Sequence, residues 1–188
     1  MNVIVVAVGL LCLLDLVLTA GVVRRLREHS AHLEKLLAGR TGPPGGELPV
    51  LAPGTAVAPL SGVTVEGEPV STADLGDRAL VAFFSPSCAP CRLIMPQFVE
   101  RARRFGGRER TLAVLNVTGD EDASEYVRQL APVARVVVER PDGAISEAMR
   151  VSAFPSVYLL DLTGDAPVVL AGGTDLSVVP DADPVAVR

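Results

Sequence analysis

Three cysteines occur in the chain, and two of them, Cys88 and Cys91, stand together in Ser85-Pro86-Ser87-Cys88-Ala89-Pro90-Cys91. An apolar run, Ala79 to Phe84, leads into this stretch, and Arg92-Leu93-Ile94-Met95-Pro96-Gln97-Phe98 leads out of it. That order reads as a buried strand, a short turn carrying a Cys-x-x-Cys pair, and a helix. Cys88 is thereby placed at a helix N-terminus, where unpaired N–H groups and the helix dipole favour negative charge. A thiolate is such a charge, and it is the reactive form of cysteine. The pair is placed to make and break a disulfide.

Other uses of a Cys-x-x-Cys pair fit the chain less well. A zinc site takes four ligands, commonly two such pairs or one pair with two histidines. No second pair exists, and the two histidines, His29 and His32, lie far upstream. No metal ligand set is expected, and His29 and His32 read as part of a solvated, charged face. A copper chaperone of the Sco type would need wider cysteine spacing and a later histidine, and none follows Cys91. The third cysteine, Cys12, sits in an apolar stretch, so the chain holds no disulfide framework.

Charge is distributed unevenly. Residues 24–40 hold five basic and two acidic side chains, whereas residues 41–188 hold twelve basic and nineteen acidic ones. An acidic globular part argues against nucleic acid as the main partner. Residues 3–23 are apolar except for Asp15 and a few mildly polar neighbours. At about 1.5 Å per residue they span roughly 30 Å, the thickness of a bilayer core. A cleaved signal peptide would show a basic start and a small-residue cleavage site. Met1-Asn2 and Leu18-Thr19-Ala20 supply neither, which predicts an uncleaved membrane anchor. Asp15 costs about 2.5–3.5 kcal/mol at mid-span. It reads either as a tolerated polar residue or as a contact with another membrane subunit. Arg24, Arg25 and Arg27 directly after the span would keep that side cytoplasmic by the positive-inside rule.

Five segments follow from these patterns: a transmembrane anchor (1–23), a juxtamembrane helix (24–38), a Pro/Gly-rich linker (39–59), a folded domain (60–171) and an irregular tail (172–188). Inside the domain, residues 63–70 predict two short strands about a Glu66-Gly67 turn. Strand patterns at 79–84, 111–117 and 136–139 alternate with helix patterns at 89–105, 120–130 and 144–151, the first interrupted by Pro96. A hairpin over 156–161 and 167–171 closes the series. Alternation followed by a hairpin predicts an α/β domain with a mixed central sheet flanked by helices.

Phe83-Phe84-Ser85-Pro86-Ser87-Cys88-Ala89-Pro90-Cys91, the helix proline Pro96, and Phe154-Pro155-Ser156-Val157-Tyr158-Leu159-Leu160-Asp161 together resemble the thioredoxin-like superfamily over about residues 60–171. Within it, the anchor and the Ser-Pro-x-Cys-x-x-Cys wording are similar to the membrane-anchored TlpA/ResA-like group, and most of all to the MauD-type proteins that assist methylamine dehydrogenase maturation. The resemblance implies a thioredoxin-like fold and a membrane-anchored thiol-disulfide oxidoreductase acting on protein thiols and disulfides. Cys88 would attack a substrate disulfide and Cys91 would resolve the mixed disulfide. Pro155 would match the family's cis-proline, and the exposed backbone of Phe154 would pair with a substrate strand. It also implies an extracytoplasmic domain, which conflicts with the arginines after the span. No cofactor motif appears, so electrons would come from a membrane partner, with Asp15 a candidate contact.

Ala89 and Pro90, between the cysteines, offer no charge to the Cys88 thiolate. The expected acidity is nearer the thioredoxin value of about 7 than the DsbA value of about 3.5, which suits a reductant or exchanger. The chain departs from thioredoxin at Ala82, where a buried aspartate is usual, at Val114, where a lysine is, and at Ser87, where a tryptophan is. No buried base for Cys91 is therefore evident. Two further readings stay open. A redoxin-like peroxidase would want Thr or Ser three residues before the reactive cysteine, as at Ser85, although Cys91 follows closely and no peroxide-polarising arginine is evident. A non-catalytic maturation subunit would use the fold as a scaffold. Arg101, Arg103, Arg104, Arg108 and Arg110 read as a solvated helix end complementing the dipole.

Overall fold

The computed structural model of the chain describes residues 50–179. The expected anchor, the juxtamembrane helix, most of the linker and the end of the tail lie outside them, as do Cys12, Asp15, His29 and His32. Among the described residues no helix is long and apolar enough to cross a membrane.

Strand β3 (Arg78–Phe84) carries apolar side chains on both faces: Leu80, Ala82 and Phe84 on one, Ala79, Val81 and Phe83 on the other, all fully buried. A strand of that kind belongs in the middle of a covered sheet. It pairs in parallel with β4 (Thr111–Asn116), which in turn pairs in parallel with β5 (Arg135–Glu139). On its other side β6 (Ser156–Asp161) runs antiparallel, followed by antiparallel β7 (Val168–Gly173). The order is β5-β4-β3-β6-β7, a mixed sheet. A separate hairpin, β1 (Ser61–Val63) and β2 (Pro69–Ser71), turns through Gly67, whose φ of 83° suits glycine.

Two apolar layers cover the sheet. Helix α1 (Ala89–Phe105) and helix α2 (Ser124–Leu130) lie on the face of Leu80, Ala82 and Phe84, together with Leu176 and Val179. Phe98 of α1 meets Phe84 edge to face, with ring centroids 5.0 Å apart. Helix α3 (Ala144–Ala148) and the β1–β2 hairpin cover the opposite face through Ile145, Leu60 and Val70. The architecture is thioredoxin-like, a mixed central sheet flanked by helices, as expected.

Several boundaries differ from the sequence reading, each for a local reason. Helix α1 runs through Pro96 without interruption. Pro96 lies on the exposed side, where the carbonyl left without its usual donor faces water rather than the core. The helix stops at Gly106, whose φ of 130° few other residues adopt. Helix α2 starts at Ser124 rather than residue 120, because the acidic residues cap turns instead of joining the helix. Glu121 accepts from the Thr118 N–H at 2.9 Å and Asp122 from the Ser124 N–H at 2.8 Å. Helix α3 ends at Ala148, just before Arg150 takes a positive φ.

The segment read as the end of the linker is packed. Gly54 donates to the Val169 carbonyl at 2.7 Å, Ala56 bridges to Val168, and Val57 is buried against the sheet. At the other margin Thr64 bridges to Val137 and Val65 donates to the Val136 carbonyl at 2.9 Å. Residues past 171 are also held. Arg101 donates to the carbonyls of Leu176 at 2.5 Å and Val179 at 2.9 Å.

Candidate active site

The site forms where β3 leaves the sheet and α1 begins. Phe84 is the last strand residue, and the turn closes when the Cys88 N–H donates to the Ser85 carbonyl at 3.1 Å. Cys88 is the N-cap of α1, in extended backbone conformation, and its Sγ accepts from the Cys91 N–H at 3.2 Å. The sulfur thus occupies the place of a capping side-chain oxygen. Pro90 falls in the first turn, where a missing N–H removes no helix bond.

Cys88 and Cys91 form a disulfide, with Cα atoms 5.3 Å apart. The two sulfur-bearing residues differ in access: Cys91 is 0% exposed and lies in the core cluster, whereas Cys88 is partly exposed. Ala89 and Pro90, on the outer side of the first turn, are exposed.

Phe154 and Pro155 come to the pair from the neighbouring strand. β6 is antiparallel to β3 and pairs Ser156 with Phe83, so the residues just before β6 arrive beside the turn just after β3. The Phe154–Pro155 peptide bond is cis. The Phe154 carbonyl oxygen lies 3.3 Å from Cys88 Sγ. Ser156 Oγ donates to the Ala153 carbonyl at 2.8 Å and ties this loop to itself. Phe154 is half-buried and packs against both apolar layers, while Pro155 is buried. The sequence-predicted site residues Cys88, Cys91, Ala89, Pro90, Phe154 and Pro155 therefore meet at one end of the sheet.

Charge near the pair is sparse. Arg92 sits one turn below Cys88 and donates to the Pro86 carbonyl at 3.4 Å. It also acts on Tyr126, whose phenol is pushed up by burial and drawn partly back by the arginine. The buried polar side chains among the described residues are six Ser/Thr hydroxyls, the phenols of Tyr126 and Tyr158 and one amide, Asn116, with no carboxylate or lysine. Ala82 faces the α1 layer with Cys91, but Val114 belongs to the opposite layer. The two positions at which the chain departs from thioredoxin therefore point to different sides of the sheet. Ser85 is buried, and its hydroxyl engages Ser87 Oγ at 3.0 Å. No group of three or more His, Cys, Asp or Glu residues that could hold a metal ion occurs among the described residues.

The arginines at the far end of α1 do more than balance a dipole. Arg103 does pair in solvent with Glu100 at 2.6 Å. Arg101 holds the carbonyls of residues 176 and 179. Arg108 donates to the Ala131 carbonyl at 2.6 Å and to Glu66 at 2.8 Å. Sequence reading also passed over Leu93, which is apolar yet 78% exposed on α1. Its signal was an apolar residue on the helix face that also carries Pro96 and Gln97.

A mixed sheet with a capped dithiol at one end and a proline loop across from it defines a thioredoxin-fold protein of the dithiol/disulfide class. The chain belongs to the AhpC/TSA family, whose model matches residues 53–165. It is similar to sporulation thiol-disulfide oxidoreductase A of Bacillus subtilis (strain 168), with 22% identity over 105 residues, 54% of this chain and 64% of that protein. It thus spans slightly under two thirds of that relative. Among solved structures it resembles a thiol:disulfide interchange protein from Bacteroides sp. (24% identity, 67% of this chain and 86% of the other, TM-score 0.53). It also resembles a DsbF homologue from Corynebacterium diphtheriae (18% identity, 73% and 90%, TM-score 0.54). At these identities the structures speak to the fold.

Proposed function

We propose that the chain is a thiol-disulfide oxidoreductase that exchanges disulfides with protein cysteines through Cys88 and Cys91. The observation that carries this reading is the unequal access of two bonded sulfurs, one at a helix tip and one in the core. In the oxidised form a partner thiolate attacks Cys88 Sγ, the Cys88–Cys91 bond breaks, and Cys91 leaves as a thiolate that takes up a proton. A second partner thiolate then attacks the partner sulfur of the mixed disulfide, and Cys88 leaves. The partner gives up two electrons and two protons and gains a disulfide. The same atoms run the reaction backwards when the pair is reduced.

The Cys91 N–H stabilises negative charge on Cys88 each time that sulfur leaves or attacks. Ala89 and Pro90 leave the sulfur open from outside, and Phe154, with Pro155, offers backbone to an incoming segment. With no buried base beside it among the described residues, Cys91 exchanges its proton with water once the mixed disulfide opens the turn. This suits dedicated partners over rapid general turnover. In this reading residues 3–23 anchor the chain in a bilayer, the domain works on the extracytoplasmic face, and a membrane subunit supplies electrons. The placement in the TlpA/ResA-like group, near the MauD-type proteins, belongs to the same proposal.

The test is a Cys91→Ser variant of the full chain, isolated with its membranes under thiol-blocking conditions. A mixed disulfide on Cys88 should persist and carry a protein partner, and Cys88→Ser should capture nothing. Capture of equal amounts by both variants, or by neither, would remove the assignment.

A further inference from the structure

The outer face of α1 is divided along its length. From Ala89 to Val99 it carries one charged residue, Arg92, whereas Glu100, Arg101, Arg103 and Arg104 crowd the following turn. Besides Arg92, the exposed positions of this half are Ala89, Pro90, Leu93, Pro96 and Gln97. Leu93 is 78% exposed, more than any other large hydrophobic among the described residues. Leucine at an exposed helix position is ordinary by itself. Here, however, it continues the apolar surface that begins at the reactive sulfur. Leu93 lies one turn below Ala89, about 6 Å along the axis. The only cation on this half turns toward the Pro86 carbonyl.

Resting on the thiol-disulfide reading, we propose that Ala89, Pro90 and Leu93 form a specificity shelf for the cysteine-bearing segment of a protein partner. The occupant is an extended peptide with a large apolar side chain two or three residues from its reactive cysteine. Geometry sets that spacing. A partner sulfur bonded to Cys88 is fixed at the helix tip, and two or three extended residues reach about 7–10 Å from it, down to Leu93. Arg92, beside the same path, disfavours a lysine or arginine there. Leu93 acts on recognition and leaves the bond exchange at Cys88 unchanged.

The experiment uses the reduced full chain in detergent and three oxidised probes: a disulfide-linked peptide with Leu two residues after its cysteine, the same peptide with Lys there, and glutathione disulfide. The wild type should react with the Leu peptide about tenfold faster than with the Lys peptide. Leu93→Gln should lose most of that difference while its rate with glutathione disulfide stays within about twofold. A preference that survives in Leu93→Gln, or a wild type that exchanges with all three probes without preference, overturns the shelf and leaves the redox reading intact. A wild type inert toward all three, glutathione disulfide included, overturns the redox reading itself and the shelf with it.

Discussion

Cys88 Sγ and the carbonyl oxygen of Phe154 lie 3.3 Å apart, across 66 residues of sequence. The Cys91 N–H reaches the same sulfur from the other side at 3.2 Å. Once reduced, a neutral Cys88 thiol can donate to the carbonyl, whereas a thiolate is stabilised by the N–H. The two contacts pull the proton equilibrium in opposite senses, and both hold the sulfur at the tip of α1. Cys91 has no such opening to solvent. After reduction, a small alkylating reagent should modify Cys88 at least about tenfold faster than Cys91. Peptide mass mapping over a time course reads both rates, and equal rates would contradict the unequal access.

The edge-to-face contact between Phe84, at the end of β3, and Phe98 fastens α1 to the sheet about two turns beyond Cys91. Both rings are fully buried. Phe98→Ala should destabilise the fold by about 3–5 kcal/mol, the usual cost of emptying an aromatic site in a core. Urea unfolding gives the value. A loss below about 1 kcal/mol would mean that the layer repacks freely.

Arg101→Met tests whether the end of the described chain is held by one side chain. The variant keeps an unbranched apolar stem but gives up the guanidinium and with it both carbonyl contacts, at residues 176 and 179. A loss of about 1–3 kcal/mol is expected, with limited proteolysis first cutting near 176–179. Unchanged protease resistance there would show that burial of Leu176 and Val179 suffices.

Glu66 and Arg108 provide a pH signature. The hydrogen bond from Arg108 holds the Glu66 carboxyl below its ordinary range. A group whose folded value is depressed stabilises the fold above its unfolded value and loses that contribution as pH falls through the folded one. Both side chains are about a third exposed, so the pair contributes less than about 1 kcal/mol. Glu66→Gln should therefore lower the melting temperature slightly at pH 7, and the gap should close as the pH drops through the acidic carboxylate range. A gap that stays constant down to acid would assign the effect to packing instead.

The sequence shows the chemistry and the centre of the fold more clearly than its margins. The two ends of helix α1 were legible to the residue, because Cys88 and Pro90 open it and Gly106-Gly107 close it, although Pro96 does not interrupt it as its presence suggested. β3 was legible because a short apolar run, bounded by turn signals and apolar on both faces, fits the middle of a covered sheet. The start of α2 was not, since Glu121 and Asp122 spend their side chains on local turns that periodicity does not register. The pairing of residues 54–57 with β7 was hidden by its prolines and glycine, which read as linker although the ladder needs only a few N–H groups. Within the site, the residue pattern pointed to Cys88, Cys91 and the Phe154-Pro155 loop. Leu93 and Arg101 act through exposure and long-range contact, which single-residue patterns do not encode.

The short pairings at the two margins of the sheet, Gly54 to Ala56 on β7 and Thr64–Val65 on β5, have a consequence for life at high local concentration. Naked outer strands invite neighbouring molecules to zip on and grow, and these two lengths of backbone already fill much of that vacancy. Two copies that collide side by side find little to stitch together. On the proposed function, a partner instead docks at the pole where Cys88 is partly exposed.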